Sequence, residues 1–256
     1  MNRRSKNFVA LCSIAALTIA AAPAASAMHI MEGFLQPTYC IMWGALCIPF
    51  IVLGFMKINK TLASDRKLIV MLSMAGAFAF ILSALKIPSF TGSCSHMTGT
   101  GLCAILFGPC ATAIIGAIVL LFQALLLAHG GVTTLGANIF SMAIAGPIVS
   151  WLIYKALKAT KIPRYITVFL AAALGDLFTY CVTAFELAIA HPAADGGFAA
   201  SLTEFMGIFA VTQIPLAVVE GFITVVVVMG LESFAASDLI SLGFLKKGMK
   251  KEALHE

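Results

Sequence analysis

The chain has 256 residues, of which 61% are apolar and only 11% are charged. Soluble domains are about 45–50% apolar and about 25% charged, so this composition excludes a soluble fold. The long apolar runs do not alternate with polar residues, which excludes an outer-membrane barrel. The net charge of +5 comes from short basic clusters at the ends of apolar runs, a pattern that orients a membrane protein and does not indicate nucleic-acid binding. The sequence predicts an all-α, polytopic membrane protein embedded in a lipid bilayer.

The first 27 residues predict a cleaved signal peptide. A basic head containing Arg3 and Arg4 is followed by an apolar stretch at 8–22, and Ala25 and Ala27 form a small-residue cleavage pattern. Cleavage after Ala27 leaves residues 28–256 as a single integral-membrane domain and exposes the amine of Met28. The alternative is an uncleaved first transmembrane helix, which would leave that amine blocked.

The remaining chain contains apolar runs long enough to cross the bilayer, which takes about 20 helical residues. They are 39–56, 68–86, 101–128, 136–154, 165–190 and 205–230. The run 101–128 is interrupted at Gly108-Pro109, and we expect it to cross twice as two shorter helices. The count then becomes seven helices, with basic segments 57–67, 155–164 and 246–251 all in the cytoplasm. This topology puts the mature N-terminus outside a cytoplasmic (inner) membrane and the C-terminus inside.

The beginning of the mature chain offers nitrogen ligands for a metal ion. A free amine on Met28, the following amide and the His29 imidazole can chelate one ion in a plane, a geometry suited to Ni²⁺ or Cu²⁺ and accessible to Co²⁺. His96, in a glycine-rich polar segment at 92–101, is the candidate for the fourth nitrogen. The alternative for both residues is structural: an incidental histidine in a tail and a hydrogen-bonded histidine in a loop.

Several motifs resemble those of the CbiM/NikM family, the substrate-capture components of energy-coupling-factor cobalt and nickel importers. The motifs are MHIMEGFL at 28–35, IPSFTGSCSH at 87–96, TGTGL at 98–102, FGP at 107–109, QALLLAHGG at 123–131, TLGAN at 134–138, AGP at 145–147 and GD at 175–176. The resemblance covers nearly the whole mature chain, and its cobalt-transporting branch is the nearest. It implies a seven-helix subunit that binds Co²⁺ or Ni²⁺ through Met28, His29 and His96. Family members often begin at the methionine that corresponds to Met28, whereas this chain carries a presequence.

The resemblance also implies supporting residues and partners. His129, Gln123 and Asn138 are candidates for orienting a metal ligand through hydrogen bonds, although His129 equally fits a structural role at a helix end. The implied partners are a transmembrane coupling subunit, two ATP-binding cassette ATPases and a small accessory membrane subunit. The chain contains no GxxxxGK[ST] loop, so we expect a transporter subunit without its own ATPase and without an organic cofactor. Cobalt import would support cobalamin biosynthesis.

Three acidic residues, Asp176, Glu186 and Glu220, fall inside apolar runs. Ionisable groups are costly in the bilayer and often functional, but carboxylates match a nitrogen-ligated metal poorly. Helix packing and partner contact are the interpretations that remain. Two other functions are weighed: a Ni²⁺ importer of the same family, and an independent ion-coupled metal transporter. A membrane enzyme is disfavoured because the chain has neither HExxH nor GxSxG.

Overall fold

The computed structural model describes residues 29–85, 87–88 and 94–245, and these are almost entirely helical. The helices are α1 (Pro37–Ser64), α2 (Leu68–Ala84), α3 (Thr100–Phe107), α4 (Pro109–Leu127), α5 (Leu135–Asn138), α6 (Gly146–Lys158), α7 (Arg164–Ala190), α8 (Gly197–Phe234) and α9 (Ala236–Ser241). A π-helical segment, Ile139–Ala145, joins α5 to α6. Two short antiparallel strands, β1 (Ile87–Pro88) and β2 (Cys94–Ser95), connect α2 to α3; the sequence analysis did not anticipate them.

Five helical segments are long and apolar enough to cross a membrane: α1, α4, the continuous stretch Leu135–Lys158, α7 and α8. The 17-residue α2 is a shorter apolar helix. Large apolar side chains are exposed along these helices, which a bilayer accommodates and water does not. The predicted all-α polytopic membrane fold is therefore confirmed, and the chain is a multi-pass membrane protein. The signal peptide and its cleavage site at Ala27 lie outside the described residues.

The predicted break at Gly108-Pro109 separates α3 from α4. Gly108 has a φ of 85°, a conformation that ends the first helix, and Pro109 begins the second, where its missing N–H has no consequence. However, α3 has only eight residues and is about 12 Å long, too short to cross a membrane by itself. The chain before it, residues 96–99, is a buried irregular loop within the glycine-rich polar segment at 92–101.

The site is positioned by two clusters of buried apolar residues. The larger one forms where α3 packs between α2, α4, α6 and α7, and every residue of α3 is buried. The smaller one contains Ile30 and Leu35, which pack against Trp43 of α1, Tyr180 of α7 and Phe209 of α8. The segment that contains Ile30 and Leu35 is thus part of the protein core and does not form a free tail.

Candidate metal centre

Three histidines from distant parts of the sequence meet inside the protein. His29, His96 and His129 are all buried, and their potential ligand atoms lie within 4.8 Å of one another. The His129 ring stacks on His29 with centroids 4.5 Å apart, and it meets His96 edge-on at 4.9 Å. The structure therefore brings together His29, His96 and the helix-end His129. Met28, the other predicted ligand residue, lies outside the described residues.

Residues 29–32, which we call the N-terminal arm, are held by hydrogen bonds to the peptide of Ile30. Asn138 accepts a hydrogen bond from the Ile30 N–H at 2.8 Å and donates one to the Ile30 carbonyl at 3.0 Å. The Thr134 hydroxyl donates to the same carbonyl at 2.6 Å. Asn138, predicted to orient a ligand, thus fixes the backbone next to His29 without contacting its ring.

At the surface, the arm is fastened to the loop that carries His129. The Glu32 carboxylate accepts hydrogen bonds from the Thr133 hydroxyl and, at 3.1 Å, from the Thr133 N–H. These bonds, the hydroxyl first, lower the pKa of Glu32 below its ordinary value. The arm also passes so close to Gly131 that a Cβ there would lie 2.6 Å from the Glu32 Cα. The loop therefore needs glycine at this position to accommodate the arm.

Residues 96–99, which we call the His96 loop, are held by α8. The Gln213 amide donates to the His96 carbonyl at 3.1 Å and to the Asp176 carboxyl at 2.8 Å. Seven residues further along α8, the Glu220 carboxylate accepts from the N–H groups of Thr98 and Gly99 at 2.6 and 3.0 Å. Irregular backbone inside a membrane protein is tolerated only where its polar groups are satisfied by other parts of the protein. Gln213 and Glu220 supply these partners.

Hydrogen bonds fix which nitrogen of the His29 ring carries a proton. The Ser83 hydroxyl donates to the Ala79 carbonyl, so its oxygen must accept from the NH₂ group of Gln123. The Gln123 carbonyl oxygen then faces His29 Nε2 at 3.1 Å and accepts its proton. In the neutral ring the lone pair is consequently on Nδ1. Gln123, predicted to lie near the site, therefore orients His29 and sets its tautomer.

The same reasoning applies to His96 and gives a matching result. Its Nδ1 lies 2.9 Å from the Met97 carbonyl, which can only accept, so Nδ1 carries the proton and Nε2 the lone pair. His96 Nε2 and His29 Nδ1 lie 2.7 Å apart. A proton shared between the two rings, or a metal ion bound by both, is compatible with this separation.

Several residues that build this site were not identified from the sequence. Ser83, Thr134 and Gln213 are ordinary polar residues whose role depends on contacts more than 35 residues away in the chain. A polar amide in the apolar run 205–230 was the one available signal for Gln213.

Glu186, the third acidic residue within an apolar run, lies elsewhere in α7. It is buried, and its carboxylate has no hydrogen-bond partner among the described residues.

Comparison with known proteins identifies the family. Residues 29–237 match the family described as "CbiM: Cobalt uptake substrate-specific transmembrane region". The chain belongs to the CbiM family. It is 57% identical over 249 residues to the cobalt transport protein CbiM of Lachnoclostridium phytofermentans, covering 97% of this chain and all of that protein. It is 59% identical over 232 residues to the CbiM of Roseiflexus sp., covering 91% and 93% of the two chains.

Solved structures agree with this assignment. A crystal structure described as that of a transition metal transporter is 28% identical and superposes with a TM-score of 0.71, covering 88% of this chain and 99% of that one. A truncated transition metal transporter is 30% identical with a TM-score of 0.70, covering 79% and 97%. Membership of the CbiM family, together with the membrane-spanning helices, makes this chain a membrane metal transporter protein.

Proposed function

We propose that this chain is the substrate-capture subunit of an ATP-driven energy-coupling-factor importer for Co²⁺. One observation carries the proposal: His29 Nδ1 and His96 Nε2 lie 2.7 Å apart in a cluster of three buried histidines. Both residues are buried, so the ion would be bound out of contact with water. His129, stacked on His29, completes the cluster.

The tautomer of His29 supports a chelate that includes the chain terminus. Nδ1 is the ring nitrogen that can close a six-membered chelate ring with the amide nitrogen of the same residue, whereas Nε2 points away from the backbone. Cleavage after Ala27 would add the Met28 amine and close a five-membered ring with that amide. The ligand set is then the Met28 amine, the His29 amide, His29 Nδ1 and His96 Nε2. Four nitrogens in a plane suit Ni²⁺ and Co²⁺.

Cobalt is the proposed substrate because the matching family and the similar curated proteins are named for cobalt uptake. The alternative is Ni²⁺, which the same nitrogens bind and which has the higher intrinsic affinity for such a site. Cobalt import would serve cobalamin biosynthesis. In this proposal the cell's inner membrane holds the protein, with the mature N-terminus outside and the C-terminus in the cytoplasm.

The energy for import would come from partner subunits. The sequence carries no nucleotide-binding loop, so ATP hydrolysis is assigned to two ATP-binding cassette subunits acting through a transmembrane coupling subunit, with a small accessory membrane subunit. Cobalt-57 uptake by cells that express the chain with and without these subunits tests the assignment. Uptake that requires an intact ATPase supports it. Uptake by the chain alone favours the ion-coupled transporter instead.

The ligand set is tested on protein purified from membranes. Intact mass and N-terminal sequencing should show a chain that begins at Met28, and this chain should bind one Co²⁺. The same chain with an acetyl group on the Met28 amine is the matched control. Since it has no free terminal amine, it should lose affinity by about two orders of magnitude or more, as expected for removal of a ligand. Equal affinity of the two chains would remove the terminal amine from the site.

A further inference from the structure

A pair of buried acidic residues lies next to the His96 loop, and no ion pair with a basic side chain balances it among the residues that the structure describes. Asp176 of α7 and Glu220 of α8 are 1% and 0% exposed. The ion pair found in the described part of the chain joins Arg164 to Glu232 instead. A buried charge without a partner is costly in any protein and especially so within a membrane.

The hydrogen-bond partners define the charge of this pair. Every group that contacts Glu220 from the His96 loop is a donor: the Thr98 N–H, the Gly99 N–H and the Thr98 hydroxyl, which lies 3.0 Å from Oε1. Both oxygens of Glu220 therefore act as acceptors toward the loop.

Asp176 is held close to the same loop. Its Oδ2 accepts from Gln213 at 2.8 Å, while Oδ1 has no hydrogen-bond donor among the described residues. Gln213 joins Asp176 to the His96 carbonyl, and Glu220 accepts from Thr98 two residues further along, so the two carboxyl groups lie near each other. Two ionised carboxylates buried side by side would repel each other, and a single proton shared between them removes the conflict. The pair therefore carries one negative charge.

This charge is connected directly to the candidate metal centre. Thr98, which donates two hydrogen bonds to Glu220, is two residues from His96. Gln213 bridges the Asp176 carboxyl and the His96 carbonyl with one amide nitrogen. The proposed ligands are all nitrogens, and the imidazoles and the amine among them are neutral. The ligand set therefore leaves positive charge on a divalent ion that is buried in the protein.

We propose that the Asp176–Glu220 pair is the buried counter-charge of the transported ion. The inference rests on the proposed function, because it assumes that a divalent cation binds at His29 and His96. In this role the pair stabilises the ion from outside its ligand shell, and Glu220 also links the ion to α8. It gives a physical reason for two acidic residues in apolar helices of a site whose ligands are nitrogens.

The test compares Co²⁺ affinity in variants of the mature full-length chain. The double variant Asp176→Asn/Glu220→Gln removes the negative charge whichever carboxyl holds the shared proton, and it should weaken binding roughly 10- to 100-fold, the effect expected for loss of a unit charge near a buried cation at an effective dielectric constant of about 20. Asp176→Asn is the matched control, because its amide oxygen can accept from Gln213 and its NH₂ can donate to Glu220. It keeps the charge and should keep the affinity.

A purely structural role for Glu220 makes different predictions. Thr98→Val removes the hydroxyl hydrogen bond to Glu220 but keeps the charge and both backbone N–H bonds, so counter-charge action predicts nearly unchanged affinity, whereas a role limited to holding the loop predicts a loss. This variant decides the question even if the double variant does not fold. The visible absorption spectrum of bound Co²⁺ should not change in the double variant, since the ligands remain; a shifted spectrum would indicate a displaced His96.

The outcomes separate the inference from the function beneath it. Co²⁺ binding by the unmodified chain tests the metal site alone, and its absence would remove the proposed function. Binding by the unmodified chain together with equal affinity in Asp176→Asn/Glu220→Gln would overturn only the counter-charge. A loss in Asp176→Asn as large as that in the double variant would overturn it as well.

Discussion

The two segments that carry the facing histidines are held in different ways. The N-terminal arm is held by neutral side chains, Asn138 and Thr134, and by a surface contact between Glu32 and Thr133. The His96 loop is held by buried groups of the helical bundle, including the acidic Glu220 of α8. The comparison indicates that buried groups of the bundle fix the His96 loop in place, whereas the N-terminal arm is attached to the bundle by neutral hydrogen bonds and one surface contact. A transporter must bind an ion and later release it, and an attached arm can be displaced at lower cost than a loop embedded in the core.

The largest effect should come from weakening the hold on the His96 loop. Gln213→Leu leaves the buried His96 carbonyl and the Asp176 carboxyl without their shared donor. We expect the free energy of unfolding to fall by about 2–4 kcal/mol, because each unsatisfied buried group costs about 1–3 kcal/mol. Co²⁺ affinity should fall about 100-fold. Thermal or chemical unfolding and metal titration measure both effects, and the exposed Thr203→Val on the same helix is the control. An unchanged unfolding free energy would show that the loop does not depend on α8.

Weakening the arm should separate binding from stability. Asn138→Ala removes both of its hydrogen bonds to the buried Ile30 peptide, while the Thr134 hydroxyl still donates to the Ile30 carbonyl. We expect Co²⁺ affinity to fall about 10- to 100-fold, with less loss of global stability than in Gln213→Leu. Hydrogen exchange at residues 29–35 should accelerate while exchange in α7 stays slow. If exchange accelerates equally throughout the bundle, the arm is as integral as the loop and the comparison fails.

A smaller effect is expected from the chain of hydrogen bonds that sets the His29 tautomer. Gln123→Leu removes the acceptor for the Nε2 proton, so the ring can shift its proton to Nδ1 and lose the lone pair that faces His96. Co²⁺ affinity should fall about tenfold, as for other residues that orient a metal-binding histidine. Ser83→Ala leaves Gln123 in contact with His29 and should cost less. If Ser83→Ala lowered Co²⁺ affinity as much as Asn138→Ala does, Ser83 would act on packing and not on proton placement.

The smallest effect at neutral pH should come from removing the exposed contact between Glu32 and Thr133. The pKa of Glu32 is lowered in the folded protein by its hydrogen bonds to Thr133. A lowered pKa means that the carboxylate stabilises the attached arm above its ordinary pKa of 4.5, and that this contribution disappears as the pH falls through the lowered value. Protection of residues 29–35 from hydrogen exchange should therefore decrease on acidification, and Glu32→Gln should flatten that dependence. A pH dependence that survives in Glu32→Gln would assign it to another group.

Much of the fold follows from residues whose effect is local. The apolar runs predict the long helices because only a helix satisfies its own backbone in a membrane, and Gly108-Pro109 predicts the break between α3 and α4 for a similarly local reason. The glycine-rich polar composition at 92–101 likewise indicates that the chain before α3 is not helical. The position of that loop does not follow locally, because Glu220, more than 100 residues later, accepts the hydrogen bonds of the Thr98 and Gly99 N–H groups.

The candidate site likewise combines features that the local sequence predicts with features that depend on distant contacts. His29, His96, Gln123 and Asn138 were predicted near one metal ion from motifs that resemble a family, and the structure places all four at or beside the histidine cluster. The direction of each proton, and therefore which ring nitrogens face each other, depends on Ser83 and the Met97 carbonyl and required three-dimensional contacts. The role of Asp176 and Glu220 stayed open for the same reason.

The central claim is that His29 and His96 share one divalent ion. Calorimetric titration of the purified mature chain with Co²⁺, in the unmodified form and in His29→Ala and His96→Ala, tests this most directly. The exposed His191, which donates to the Phe34 carbonyl, gives the matched control His191→Ala. The account predicts one ion per chain in the unmodified and His191→Ala proteins, and no measurable binding in the other two. Full binding by either His29→Ala or His96→Ala would contradict it.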